Sequence, residues 1–234
     1  MNKTSRTQRM DGEVTYNRIL EAAGEFFAST GFAETTSKMV AARAAVDLAS
    51  INYHFGSRNG LYQAVLVEAH RRLISVDSLQ NIVEVDLPAT EKLRMLIEEL
   101  VESAIADKGW HATVLSREFL SPTSHLKMLM DTIIPAKMPP VLGILSEITG
   151  IMPRDPALLR CLASVLAPCA MLLVVGPNTF SFANEIHRMG RGVLVEHLYG
   201  FAIAGLEAIG RSEAQRSAKH TSASPDGSKP GETA

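Results

Sequence analysis

At 234 residues the chain is long enough to bury a substantial core in one large or two small domains, which excludes a mini-protein and a fibre. Its 46% hydrophobic and 21% charged composition excludes a disordered chain, and two cysteines exclude a disulfide framework. The formal net charge of -2 argues against a protein that simply coats nucleic acid, yet residues 1–72 carry +2 and the remainder -4, a mildly basic head on an acidic body.

The opening segment, MNKTSRTQRMDGE, is polar and lacks the apolar stretch of a secretory signal, so a cytoplasmic chain is expected. Residues 1–12, with Lys3, Arg6 and Arg9, read as a flexible basic arm. From there on apolar residues recur at helical spacing with no competing alternation, which predicts an all-α protein. The first helix runs from about Glu13 to Ser29, with Ile19, Leu20, Ala23, Phe26 and Phe27 on one stripe and Gly31-Phe32 as its stop. Thr35 or Thr36 caps the second, which turns Met39, Val40 and Ala44 inward. After a break at Ala45 to Leu48, Asp47 caps a short helix from Ala49 to Phe55. Gly56 and Ser57 end that helix and cap a fourth, Arg58 to about Ser75, with Leu61, Val65 and Leu66 buried.

Residues 76–87 read as a less regular link before Pro88 opens a helix to Asp107. Helical stretches follow at His111 to Leu120, Pro122 to about Ile134 and Val141 to Thr149. The last two are separated by Pro135, Pro139 and Pro140, which a continuous helix would not tolerate. Asp155-Pro156 caps and starts a long helix to Val175 that Gly176-Pro177 closes, and a final helix runs from about Ala183 to Ile209. The best apolar run, Cys161 to Gly176, falls short of a membrane span of about 18 residues, follows Arg160 and contains Pro168, so no membrane association is expected. Residues 211–234 are small, polar and Pro/Gly-bearing and read as a disordered tail.

Residues 35 to 55 carry the functional signal. Two helices separated by a few residues, the second short and polar on one side, can present that second helix to the major groove of DNA. Val40, Ala41, Ala44, Val46, Ile51 and Phe55 can pack on the first helix. Thr36, Lys38, Ala49, Ser50, Asn52, Tyr53, His54 and Arg58 remain as the DNA-contacting set, small groups and hydrogen-bonding groups suited to phosphates and base edges.

The head resembles the tetracycline-repressor (TetR) family of bacterial transcription regulators. The resemblance rests on Ile19-Leu20-Glu21-Ala22-Ala23, Phe26-Phe27, Gly31-Phe32, Thr35-Thr36, Val40-Ala41-Ala42-Arg43-Ala44, Ile51-Asn52-Tyr53-His54-Phe55-Gly56-Ser57-Arg58 and Leu61-Tyr62, in order over about residues 13 to 70. The INYHFGS form, with Pro139-Pro140 and the helix around Cys161 to Val175, is similar to the subset with a CerR/YbiH-type C-terminal domain. The resemblance implies a helix-turn-helix domain over 13–75 and a helical effector-binding and dimerisation domain over 76–210, in a homodimer that reads palindromic double-stranded DNA, with no cofactor. Two positions depart from the family pattern: Ala45 stands where glycine usually ends the second helix, so a left-handed backbone there would be strained and a differently built turn is open. Arg58 replaces the usual lysine and keeps a charge able to clamp a phosphate. Asn52, where many members have tyrosine, can pair bidentately with adenine and is the candidate base reader.

For the body, Trp110, Phe119, His125, Met128 and Met171 are the candidate effector-pocket residues, with His111, Met130, Phe180 and His187 as further candidates and core packing as the alternative for each. Leu166, Leu173, Leu194, Leu198 and Phe201 are the candidate dimer residues, because the helices that carry them are apolar on more than one face. The histidines are too dispersed for a metal site. Cys161 and Cys169 lie two turns apart on one helix, too far to bridge within a chain. No nucleophile elbow, phosphate loop or HExxH motif points to an enzyme. The expected function is a homodimeric repressor released from its operator by a small-molecule effector. The alternative is a regulator controlled by a protein partner or by cysteine oxidation.

Overall fold

The computed structural model describes residues 3–105, 109–175 and 181–222, where every regular element is a helix. In chain order these are α1 (Lys3–Ser29), α2 (Gly31–Glu34), α3 (Ser37–Ala44), α4 (Leu48–Phe55), α5 (Arg58–Leu73), α6 (Val76–Glu84) and α7 (Ala89–Ile105). There follow α8 (Trp110–Leu120), α9 (Ser124–Thr132), α10 (Ile134–Thr149), α11 (Pro156–Val174), α12 (Ser181–Arg188) and α13 (Arg191–Ser222).

Short polar side chains set six of these starts. Thr36, Asp47, Ser57, Ser75, Thr123 and Asp155 each accept a hydrogen bond from a backbone N–H of the helix they precede. Two buried clusters then organise the chain. One joins Ile19, Phe27, Val40, Ile51, Leu61 and Leu66 of the head to Trp110 and Leu115 of α8 and Leu129 of α9. The other holds Leu79, Leu93, Leu96, Ile97, Leu145, Leu158 and Cys161 in the middle of the body. Each fully buried Leu, Ile or Phe contributes about 1.5–3 kcal/mol relative to exposure. Because α8 packs against both α1 and α5, head and body share a core.

Several boundaries differ from the sequence expectation. Helix α1 begins at Lys3, inside the segment expected to be a flexible arm. Residues 76–87 contain α6, which Ser75 caps and which is anchored by Leu79 and Ile82. Pro139 and Pro140 lie inside α10. They forfeit backbone bonds to residues 135 and 136, but burial of Val141, Ile144 and Leu145 holds the helix, and the chain bends by 52° where α9 meets α10. The final helix is two, because Met189 and Gly190 interrupt it between α12 and α13. Helix α13 continues past Ile209 to Ser222, so the expected tail starts as helix. By length and composition α11 and the Arg191–Lys219 part of α13 are apolar enough to cross a membrane, contrary to the sequence expectation. The closing Gly176-Pro177 pair, Phe180, Asp107 and residues 223–234 lie outside the described residues, as do the side chains of Lys3, Arg6 and Arg9.

Candidate DNA-reading head and ligand cavity

The turn between α3 and α4 is built around Ala45, whose φ of 51° and ψ of 51° are left-handed. It is the one non-glycine with positive φ among the described residues. The Ala45 N–H donates to the Ala42 carbonyl at 3.2 Å and the Val46 N–H to the Ala41 carbonyl at 3.0 Å, the paired bonds of a Schellman cap. Arg18 on α1 donates to the Ala44 carbonyl and, at 3.1 Å, to that of Ala45. The glycine-type turn is therefore kept without the glycine, and its strain of about 1–2 kcal/mol is offset by these bonds.

Ile51, fully buried, anchors α4 to the head. Ala49, Asn52 and Tyr53, spaced three and four residues apart, share the opposite face, and Tyr53 is 85% exposed. His54 sits edge-on to Tyr53 and to Tyr16, while Tyr16 stacks on Phe55 at 4.6 Å. Ser50 and Thr36 are partly committed to capping: the Ser50 hydroxyl donates to Asp47 at 2.6 Å, and Thr36 Oγ1 accepts from the Met39 N–H at 3.3 Å. Lys38 is exposed near the start of α3. Arg58 turns inward: its guanidinium lies 4.3 Å over the Phe32 ring and donates to the carbonyls of Phe32 and Ala33. It braces α2 against the start of α5.

The body contains a cavity of about 190 Å³ bounded by the end of α5 and by α6, α7, α8, α10 and α11. Of the five effector candidates only Phe119 lines it. Trp110, the first residue of α8, is buried against α1, where its ring leaves no room for a Cβ at Gly24, and its indole N–H donates to Glu21 at 2.7 Å. His125 is buried against Phe32 and Tyr62, and Met128 is half-buried on α9 away from the cavity. Met171 is exposed beside a smaller hollow that His187 also lines.

The polar residues at the cavity went unpredicted. Lys137, on α10, is only 7% exposed, and its ammonium donates to His70 Nδ1 at 2.7 Å, to the His70 carbonyl at 3.2 Å and to the Ile74 carbonyl. Burial pulls Lys137 down to about 8, with Arg71 pulling the same way against Glu99. His70 is held at about 4 by burial and by the Lys137 charge, so its ring is neutral and Nδ1 is the acceptor. A sequence signal did exist: Lys137 is the sole charged residue between Asp131 and Glu147.

Among the dimer candidates, Leu173 and Leu194 are buried within the chain, Leu198 packs on the body core and Leu166 lines the cavity. Phe201 is 71% exposed, and Val193 on α13 and Leu159 on α11 are exposed with it. Both cysteines are buried with thiols raised by desolvation, Cys169 to about 11, which suppresses the reactive thiolate.

Residues 19–65 match the model of bacterial regulatory proteins of the tetR family, and residues 89–179 match the C-terminal domain of the HTH-type transcriptional dual regulator CecR. No curated protein matches the chain significantly. Among solved structures, the fatty acid degradation regulator FadR from Bacillus halodurans superimposes with a TM-score of 0.65 at 16% identity, over 81% of this chain and 98% of its own. FadR from Bacillus subtilis in complex with stearoyl-CoA gives the same TM-score of 0.65, 16% identity and coverage of 81% and 98%. A TetR-like transcriptional regulator from Rhodococcus sp. RHA1 gives 0.55 at 19% identity, over 82% and 95%. At these identities the likeness is one of fold.

Proposed function

The chain belongs to the TetR family of bacterial transcription regulators, with a C-terminal domain of the CecR type, and from that premise we propose a homodimeric repressor that a small effector in the α5–α11 cavity releases from DNA. The observation that carries the proposal is the placement of α5. Its first turn abuts the end of α4, and its last turn supplies His70 and Leu73 to the cavity wall. One helix of 16 residues, about 24 Å long, therefore spans from the reading head to the ligand site.

Thr36, Lys38, Ala49, Ser50, Asn52, Tyr53 and His54 meet the DNA in this reading, with Asn52 reading a base, while Arg58 acts by holding α2 on α5. Two heads about 34–36 Å apart would read a palindrome, and a tenfold to hundredfold release needs only about 1.4–2.7 kcal/mol of coupling. The second copy pairs through the exposed apolar faces of α11 and α13. This accounts for their membrane-like hydropathy, since α13 also exposes Glu196, His197, Glu207 and Arg211. The stearoyl-CoA complex of the Bacillus subtilis structure supports an effector that carries an apolar chain. At about 190 Å³ the cavity is smaller than the roughly 300–1,000 Å³ of drug-sized sites, so a compact ligand is the better fit.

Titration onto DNA from upstream of the protein's own gene, against scrambled DNA and with a genome-wide selection for remote sites, tests the reading. Selective binding that Asn52→Ala or Tyr53→Ala weakens by about 1–3 kcal/mol supports it. Equally weak binding to every sequence contradicts it.

A further inference from the structure

The cavity wall is apolar except at two side chains, Lys137 and His70, and no acid lines it. Lys137 Nζ has three acceptors, an imidazole nitrogen and two carbonyls, all of them neutral. Among the described ion pairs none includes Lys137, and the carboxylate of Glu99, which acts on it from further off, is engaged by the Ser78 hydroxyl. The ammonium is thus hydrogen-bonded but not neutralised, in a setting where an uncompensated charge is costly. What the cavity lacks is an anion.

Resting on the reading of this cavity as the effector site, we propose that its ligand is a small apolar acid, a hydrocarbon or aryl body bearing one anionic group that pairs with Lys137 Nζ. The apolar wall takes the body. Lys137 selects the head, because an anion against a buried ammonium forms a charge-assisted bond that an alcohol cannot match.

The same atom explains how occupancy reaches the head. The His70 and Ile74 carbonyls lie at the C-terminal end of α5, where Lys137 acts as a cationic cap on the helix dipole. A ligand anion competes with those carbonyls for the ammonium and so loosens the end of the helix whose beginning abuts α4. Lys137 is a specificity and transmission residue in one.

The test uses the full chain and two pairs of probes that differ only in the head group: octanoate against octanol, and phenylbutyrate against phenylbutanol. Calorimetric titration should show each acid binding at least about tenfold more tightly than its alcohol, about 1.4 kcal/mol. Lys137→Met should abolish that preference while keeping alcohol binding, and Lys137→Arg should restore it. Should the methionine variant not fold, the acid-to-alcohol ratio in the wild type still decides. Alcohols that bind as tightly as the acids overturn the anion assignment and leave the cavity as a neutral effector site. Absence of binding by all four overturns the cavity reading itself.

Discussion

The Tyr62 hydroxyl donates to Glu118 Oε2 at 2.7 Å, tying α5 of the head to α8 of the body. Glu118 is only 1% exposed, and its other oxygen accepts from the Thr123 N–H at 2.9 Å and the Thr123 hydroxyl at 2.7 Å. A buried carboxylate thus gathers three donors at the joint between head and body, with burial and the Glu118 charge both raising the Tyr62 phenol. Tyr62→Phe removes one donor and leaves Oε2 unsatisfied, at a cost of about 1–3 kcal/mol. Urea denaturation followed by circular dichroism should show an earlier midpoint; an unchanged midpoint would mean the joint does not depend on this bond.

Ala45 occupies left-handed backbone at φ 51°. Ala45→Gly relieves the Cβ strain at the expense of some unfolded-state entropy, for a net gain of about 0.5–1 kcal/mol. A branched residue such as valine should lose more than the glycine gains. Melting temperatures of the three proteins should rank Gly, Ala, Val from high to low, and a glycine variant less stable than wild type would remove strain from the account of this turn.

His70 protonates at about 4 in the folded chain, against about 6.5 when unfolded. The unfolded state therefore takes up its proton first as pH falls. The stabilisation is intact above about pH 6.5 and is lost progressively down to about pH 4, by about 3 kcal/mol in all. Between about pH 7 and pH 5, the wild type should lose stability more steeply than His70→Gln, which keeps an acceptor for Lys137. Parallel curves would show that the ring is not buried in neutral form.

Phe201 is 71% exposed on α13. Phe201→Glu places a charge in the apolar face assigned to the second copy, so sedimentation should shift from dimer to monomer while the circular dichroism spectrum is kept. A variant that remains dimeric would move the interface elsewhere.

The helix-turn-helix was legible in the sequence because its limits are set by local chemistry. Thr36, Asp47 and Ser57 cap the helices they were expected to cap, and the alternation of buried Val40, Ala44 and Ile51 with exposed neighbours follows from a three-helix core. The body was less legible because its features arise from contacts distant in sequence. Burial of Val141 and Leu145 overrides the two prolines before them. Trp110, an obvious pocket residue by type, is absorbed by Gly24 and Glu21, more than eighty positions away. Arg58 looked like a free phosphate clamp, but the carbonyls of Phe32 and Ala33 that engage it become its neighbours only after α2 folds back. The Lys137–His70 pair spans 67 residues, beyond the reach of any local pattern.

The proposed coupling runs from the cavity to the reading helix through α5. The most direct measurement is operator affinity with and without octanoate at concentrations that calorimetry shows to fill the cavity. Affinity should fall at least about tenfold on filling, and by less in Lys137→Met. An operator affinity unchanged with the cavity occupied would contradict this coupling.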